Sequence, residues 1–260
     1  MADSIEELRE KVTLSQRILG MFGIYQETVG HTSARIPGGD EMWLRCRGGD
    51  EKGMQYSTVD QIRRMDFDGN NADLADGVYA KVNELPIHGE IYKRRPAVNS
   101  VIHGHPTYGT LCAMSGIALR PIFGAYDPQA MQTALKGVPI YERSVLVNSP
   151  ELAATMCAVM GNSDILLMNH HGNVATGRTV EEATVLAIKM ERLAKLHWEF
   201  AKAGIVPENI SQADIEHFTV RFRPPAANIA ASAVAPPNYA WNFYVKLLES
   251  SGGAKVDILL

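Results

Sequence analysis

Cysteine is scarce in this chain, and long clusters of basic residues are missing from it. The three cysteines, Cys46, Cys112 and Cys157, are odd in number, far apart and outside any CxxC pair. That argues against a disulfide framework and for a reducing compartment. Lysine and arginine total 25 against 29 acidic residues, a formal net charge of −4. With no basic run longer than Lys93-Arg94-Arg95 and no basic-aromatic stripe, nucleic acid and anionic membranes are poor partners. No apolar run approaches the ~20 residues of a membrane span. The opening MADSIEELREKV is acidic and amphipathic and lacks the apolar stretch of a signal peptide. A cytoplasmic protein is expected. Linker-like stretches and internal repeats are also missing, so one main domain over residues 1–225 is expected, with 226–260 as a C-terminal extension packing at a subunit interface.

What is present is an ordinary globular composition, 46% hydrophobic and 21% charged, with enough apolar mass for a real core. Ser4 and Glu7 have capping-box spacing ahead of Ile5, Leu8, Val12, Ile18 and Leu19, which predicts a helix over about 5–22. Thr32–Ile36 and Glu41–Cys46 flank Pro37-Gly38-Gly39-Asp40 and predict a hairpin. A short helix at 57–60, a strand entering a turn at 65–70, a helix from Glu84 to Lys93 and a buried strand at 99–103 follow. Further strands are expected at 144–147, 164–168 and 172–177, with helices at 150–160 and 181–200. A loop rich in Pro and Ala, 224–237, precedes an amphipathic segment at 241–248. Strands and helices alternate without a regular βαβ rhythm, so a three-layer mixed α/β fold is expected rather than a doubly wound parallel sheet.

The chemistry concentrates in NELPIHGEIYKRRPAVNSVIHGHPTYG, residues 83–109. His103 and His105 stand two apart at a strand end, and the period of two sends both imidazoles to one side. The apolar Val98, Val101 and Ile102 make a dry wall beside them, where a bound metal is favoured over a free imidazolium. A second apolar strand in LLMNHHGNVATG, residues 166–177, also ends in histidine and offers a third nitrogen, from His170 or His171. Three neutral imidazoles suit Zn²⁺ and, with a carboxylate added, Mn²⁺, Fe²⁺ or Co²⁺. Glu84 lies nineteen residues before His103 across one predicted helix. That helix brings its carboxylate back to the strand end as the acid/base, and desolvation there would leave it partly protonated. His88, four residues on along the same face, reads as a proton relay or as core. His197 and His217 read as packing or surface residues.

These residues carry a resemblance. Glu84, Tyr92 to Pro96, the His103-x-His105 strand end and His171 with Gly172 occur in the order and spacing of the class II aldolase/adducin family, over about residues 5–205. The resemblance implies an α/β/α sandwich around a mainly antiparallel sheet. It also implies His103, His105 and His171 as metal ligands, His171 being chosen because it directly precedes Gly172, and a ring-shaped homotetramer with active sites between subunits. The sugar-phosphate members hold phosphate in a Gly-Asn-x-Ser turn and a small-residue loop. Here those places read Gly30-His31-Thr32-Ser33 and Cys46-Arg47-Gly48, which weakens a phosphate cradle. His31, Ser33 and Arg47 are instead candidates to receive a carboxylate or phenolic oxygen.

The pattern is similar to the family's branch of non-oxidative aromatic decarboxylases, which act on substrates such as dihydroxyphthalate. What it implies is a lyase that takes a small aromatic carboxylate and uses a divalent metal, zinc first, as a Lewis acid. One rival is an aldolase or epimerase acting on a sugar phosphate; the other is a non-catalytic, adducin-like binding protein. Tyr126 and Asp127, with Tyr239 and Trp241, are candidates to reach a neighbouring subunit's pocket, packing being the alternative.

Overall fold

The computed structural model describes residues 3–70, 72–75, 77–221 and 238–257. The expected loop at 224–237 lies outside them. Helix α1 (Ile5–Met21) opens on the expected capping box: the Ser4 hydroxyl accepts the Glu7 N–H, and the Glu7 carboxylate accepts the Ser4 N–H. Then come β1 (His31–Arg35), β2 (Glu41–Arg45), β3 (Arg47–Gly48), β4 (Ile62–Asp66), β5 (Tyr79–Ala80), α2 (Leu85–Arg94) and β6 (Ser100–Gly104). The second half holds α3 (Thr107–Met114), α4 (Pro128–Leu135), β7 (Ile140–Tyr141), α5 (Pro150–Met160), β8 (Ile165–Met168), β9 (Gly172–Gly177), α6 (Val180–Lys202), α7 (Gln212–Arg221) and α8 (Tyr239–Ser251).

Seven strands form one sheet in the order β4-β2-β1-β6-β9-β8-β7, antiparallel throughout except for β7 on β8; β3 and β5 pair separately. Alternation along each strand builds two cores. Trp43, Ile102, Ile165 and Leu167 join α1, α3, α6 and α8 on one face. Met42, Leu44, Val101, Leu166 and Met168 join α2 and α5 on the other. The expected three-layer α/β/α sandwich with a mainly antiparallel sheet is what forms. Because β8 is covered on both faces, its ILLM run is apolar without interruption.

The differences from expectation have physical causes. Residues 144–147 pair with no strand; the edge strand is β7, a few residues earlier. Val147 is fully buried, so the apolar pattern there reported burial rather than a ladder. Helices α3, α4 and α7 were not anticipated. For α4 a signal existed in Asp127-Pro128, an N-cap followed by Pro at the first helical position. In the expected C-terminal extension, α8 lays Trp241, Tyr244 and Leu248 into the core shared with α1 and α6 of its own chain.

Candidate metal centre

Antiparallel pairing of β6 with β9 sets His103 opposite Val174 and Gly104 opposite Asn173, so the end of β6 and the start of β9, with His171 just before it, meet at one end of the sheet's central strands. The strands approach closely: a Cβ on Gly172 would fall 2.2 Å from the Gly104 carbonyl oxygen, which only glycine permits. His171 ends the turn from β8, with its N–H on the Met168 carbonyl, and the turn places the exposed His170 at φ 54°. From the other face, α2 begins just after Glu84, which sits at its N-cap position.

These elements gather Glu84, His103, His105 and His171, whose ligand atoms all lie within 4.8 Å of one another. The three imidazole centroids stand 4.9 to 5.1 Å apart, with interplanar angles of 73° to 74°. His103 Nε2 and His105 Nε2 are 3.2 Å apart. Zinc–nitrogen bonds of ~2.0–2.1 Å in a tetrahedron put two ligand nitrogens about 3.3 Å apart. Glu84 Oε2 lies 3.2 Å from His103 Nε2, and Oε1 lies 3.3 Å from His171 Nε2.

The donors fit a divalent cation. His103 Nδ1 lies 2.9 Å from the Asn173 carbonyl; donating there, the ring turns Nε2 toward the cluster as its ligand atom. Neither ring nitrogen of the half-buried His171 has a hydrogen-bond partner among the described residues, though both are shielded from solvent, its approach to Glu84 lacking the alignment of one. Burial, with His103 and His171 close by, pushes His105 down to about 4, so it carries the neutral form that binds metal. For Glu84 the causes oppose. Burial works to raise its carboxyl, but the pull of His103 and His171 prevails and holds it below the usual carboxylate range. These surroundings favour the ionised form of Glu84 over the partly protonated one expected from desolvation alone. Its Oε1 also accepts the Val147 N–H at 2.9 Å.

Beside the cluster runs a chain of side chains. His31 Nδ1 meets His88 Nε2 at 2.6 Å, His88 Nδ1 meets Ser33 Oγ at 2.6 Å, and Ser33 Oγ meets the Tyr92 hydroxyl at 2.7 Å. The His31 ring in turn lies tilted against His103, with centroids 5.2 Å apart. Burial pushes His88 down to about 3 and His31 well below its ordinary value. Both are neutral.

Ser33 and His31 are thus committed to this chain rather than to an open anion nest. Arg47 is exposed, with Nη2 on the Thr28 carbonyl at 3.3 Å. The Cys46 thiol is buried and pushed up to about 12. Tyr126 is exposed and rests on Phe123, while Asp127 caps α4 and binds Lys189 at 2.6 Å. Neither of these two belongs to the cluster. His197 is buried on the Arg120 backbone, and His217 packs edge-on to Phe218. Reasoning from sequence missed Val147 and Asn173, which act through backbone atoms and leave no residue-type signal.

Fold and site together define a class: an α/β/α sandwich in which three histidines and a carboxylate, a donor set suited to a divalent cation, gather at the ends of central strands. The chain belongs to the Class II Aldolase and Adducin N-terminal domain family, whose model matches residues 10–198. It is 36% identical over 209 residues to a 3,4-dihydroxyphthalate decarboxylase of Arthrobacter keyseri, covering 80% of this chain and 84% of the relative. It is 31% identical over 193 residues to a 5-methylthioribulose-1-phosphate/5-deoxyribulose-1-phosphate aldolase of Escherichia coli, covering 74% and 83%. Among solved structures, an aldolase II superfamily protein of Pseudomonas syringae matches with a TM-score of 0.75 at 19% identity, over 97% of this chain and 96% of that one.

Proposed function

We propose that this chain is a divalent-cation-dependent, non-oxidative decarboxylase of a hydroxylated aromatic dicarboxylate such as 3,4-dihydroxyphthalate. The observation that carries the reading is the side-chain chain from His31 to Tyr92. It puts a neutral imidazole beside the cluster at the place where the sugar-phosphate members keep a phosphate turn. The similarity to the Arthrobacter keyseri relative points the same way. The reading takes the protein as a cytoplasmic homotetramer.

His103, His105 and His171 would hold the cation, zinc suiting three imidazoles best. When bound, such an ion supplies Lewis acidity toward neighbouring substrate oxygens. Glu84, ionised at rest and steadied by Val147, takes the proton of a phenolic hydroxyl and passes it to the ring carbon that bears the carboxylate. The ring thereby becomes a keto tautomer. When the carbon–carbon bond breaks, CO₂ leaves and the bond's electron pair restores the aromatic ring, with the charge on oxygen. One proton from water completes the phenol. In this reading the neutral His31, oriented by His88, and Arg47 would receive the substrate's oxygens.

The test compares chelated full-length protein with the same protein reloaded with Zn²⁺, Mn²⁺, Fe²⁺ or Co²⁺. CO₂ release from 3,4-dihydroxyphthalate is followed beside aldehyde release from a fuculose-type sugar phosphate. Cation-restored CO₂ release is expected. Aldehyde release without CO₂ would move the assignment to aldolase chemistry, and inactivity on both with no cation bound would favour a binding protein.

A further inference from the structure

Helix α3 starts two residues after His105 and has no cap of its own, since Pro106 stands at the N-cap position without a side-chain hydrogen bond. The unpaired N–H groups there are met from another element. Glu191, in the middle of α6, accepts the Tyr108 N–H at 2.7 Å through Oε1 and the Gly109 N–H at 2.8 Å through Oε2. It is 3% exposed. Burial pushes its carboxyl up to about 7, against the opposing pull of the N–H groups it accepts. Withdrawing a carboxylate from water for two backbone contacts is costly unless the contact serves a purpose.

That purpose is visible one turn back. His103 is oriented through its ring by the Asn173 carbonyl. Among the described residues, the His105 ring makes a close polar contact only with His103 Nε2. The position of His105 is instead set through its backbone: its N–H donates to the Ile24 carbonyl at 2.9 Å, and Gln26 Nε2 donates to its carbonyl at 2.9 Å. Glu191 fixes the turn that follows.

We propose that Glu191 is a positioning residue for the cation site: by clamping the first turn of α3 from α6, it sets where His105 presents its imidazole and so sets the cluster's affinity for a divalent cation. The inference rests on reading the cluster as a cation site.

The experiment uses the full chain as parent, Glu191→Gln, Glu191→Ala, His105→Ala and the double variant His105→Ala/Glu191→Gln. Zn²⁺ is titrated into chelated protein against a chromophoric chelator, and the visible spectrum of Co²⁺ reports the ligand geometry. Unfolding of the metal-free forms checks the fold. Zn²⁺ affinity should fall about tenfold or more in Glu191→Ala, and less in Glu191→Gln, which keeps one acceptor; the Co²⁺ bands should shift with it. In the His105→Ala background the glutamine should change affinity by less than about twofold, because the ligand it acts through is gone.

Equal losses in both backgrounds, unchanged affinity in both single variants, or failure of both to fold would overturn the proposal. A parent that binds no Zn²⁺ defeats the reading of the cluster itself, before any variant is compared, and takes this inference with it.

Discussion

A carboxyl as buried as Glu84 would sit above its ordinary range if its surroundings were apolar alone. Two imidazoles at 3.2 and 3.3 Å reverse that, and the residue rests as a base. Glu84→Gln keeps the shape and removes the charge. Its kcat for CO₂ release should fall about 10²- to 10⁴-fold, while bound Zn²⁺, read by elemental analysis, falls less than in His103→Ala. Normal turnover of the glutamine variant would remove Glu84 from the chemistry. At this scale the sequence was informative where residue type carries chemistry. The two-residue spacing of His103 and His105 and the distance back to Glu84 were enough to nominate three of the four groups in the cluster. Choosing His171 over His170 needed the family motif. The turn geometry, with His170 at positive φ and outside the cluster, supplies the physical reason. Glu191 was not legible: on a helix it reads as one more acid, and only the tertiary approach of α3 distinguishes it.

At the scale of elements, the site depends on how closely β6 and β9 lie. Gly172→Ala forces a methyl group into the Gly104 carbonyl, and the strands must part just where they carry His103 and His171. Overpacking of this kind costs about 1–3 kcal/mol, which urea denaturation will read. The same variant should bind Zn²⁺ more weakly than the parent, and full affinity in a destabilised protein would show that the strand spacing does not govern the site. Elements with a local signature were legible. Pro150 after Ser149 starts α5 where expected, and the Ser4–Glu7 box starts α1. The residues of α3, TYGTLCAM, lack both an N-cap side chain and a clear apolar stripe, so its helical state comes from packing on α6. Sheet order was not legible either, because β1 bonds to β6 across more than sixty residues of intervening chain and no local pattern records a long-range pairing.

For the molecule as a whole, neutral histidines buried beside the cluster make stability depend on pH. His88 is pushed down to about 3, His105 down to about 4, and His31 is lowered too, whereas an unfolded histidine takes its proton near pH 6.5. Below that value the unfolded chain holds the extra protons, so stability is lost as pH falls from about 6.5 toward the folded-state values. Glu191, raised to about 7, acts in the opposite sense, since its penalty for ionising disappears as pH falls from 7 toward 4.5. Three histidines against one carboxyl leave a net loss on the order of 1–3 kcal/mol per pH unit for the chelated protein. Urea denaturation between pH 7 and pH 5 will read it, and a flat profile would contradict the buried neutral imidazoles.

The chain from His31 through His88 and Ser33 to Tyr92 ends inside the core, where the last three members are at most 1% exposed. A wire with one open end stores polarisation but carries no current. These groups stiffen and polarise the imidazole at the cluster, yet they cannot exchange protons with bulk water through their far end. Deuterium from the solvent is therefore expected at the His31 ring before it reaches the Tyr92 hydroxyl.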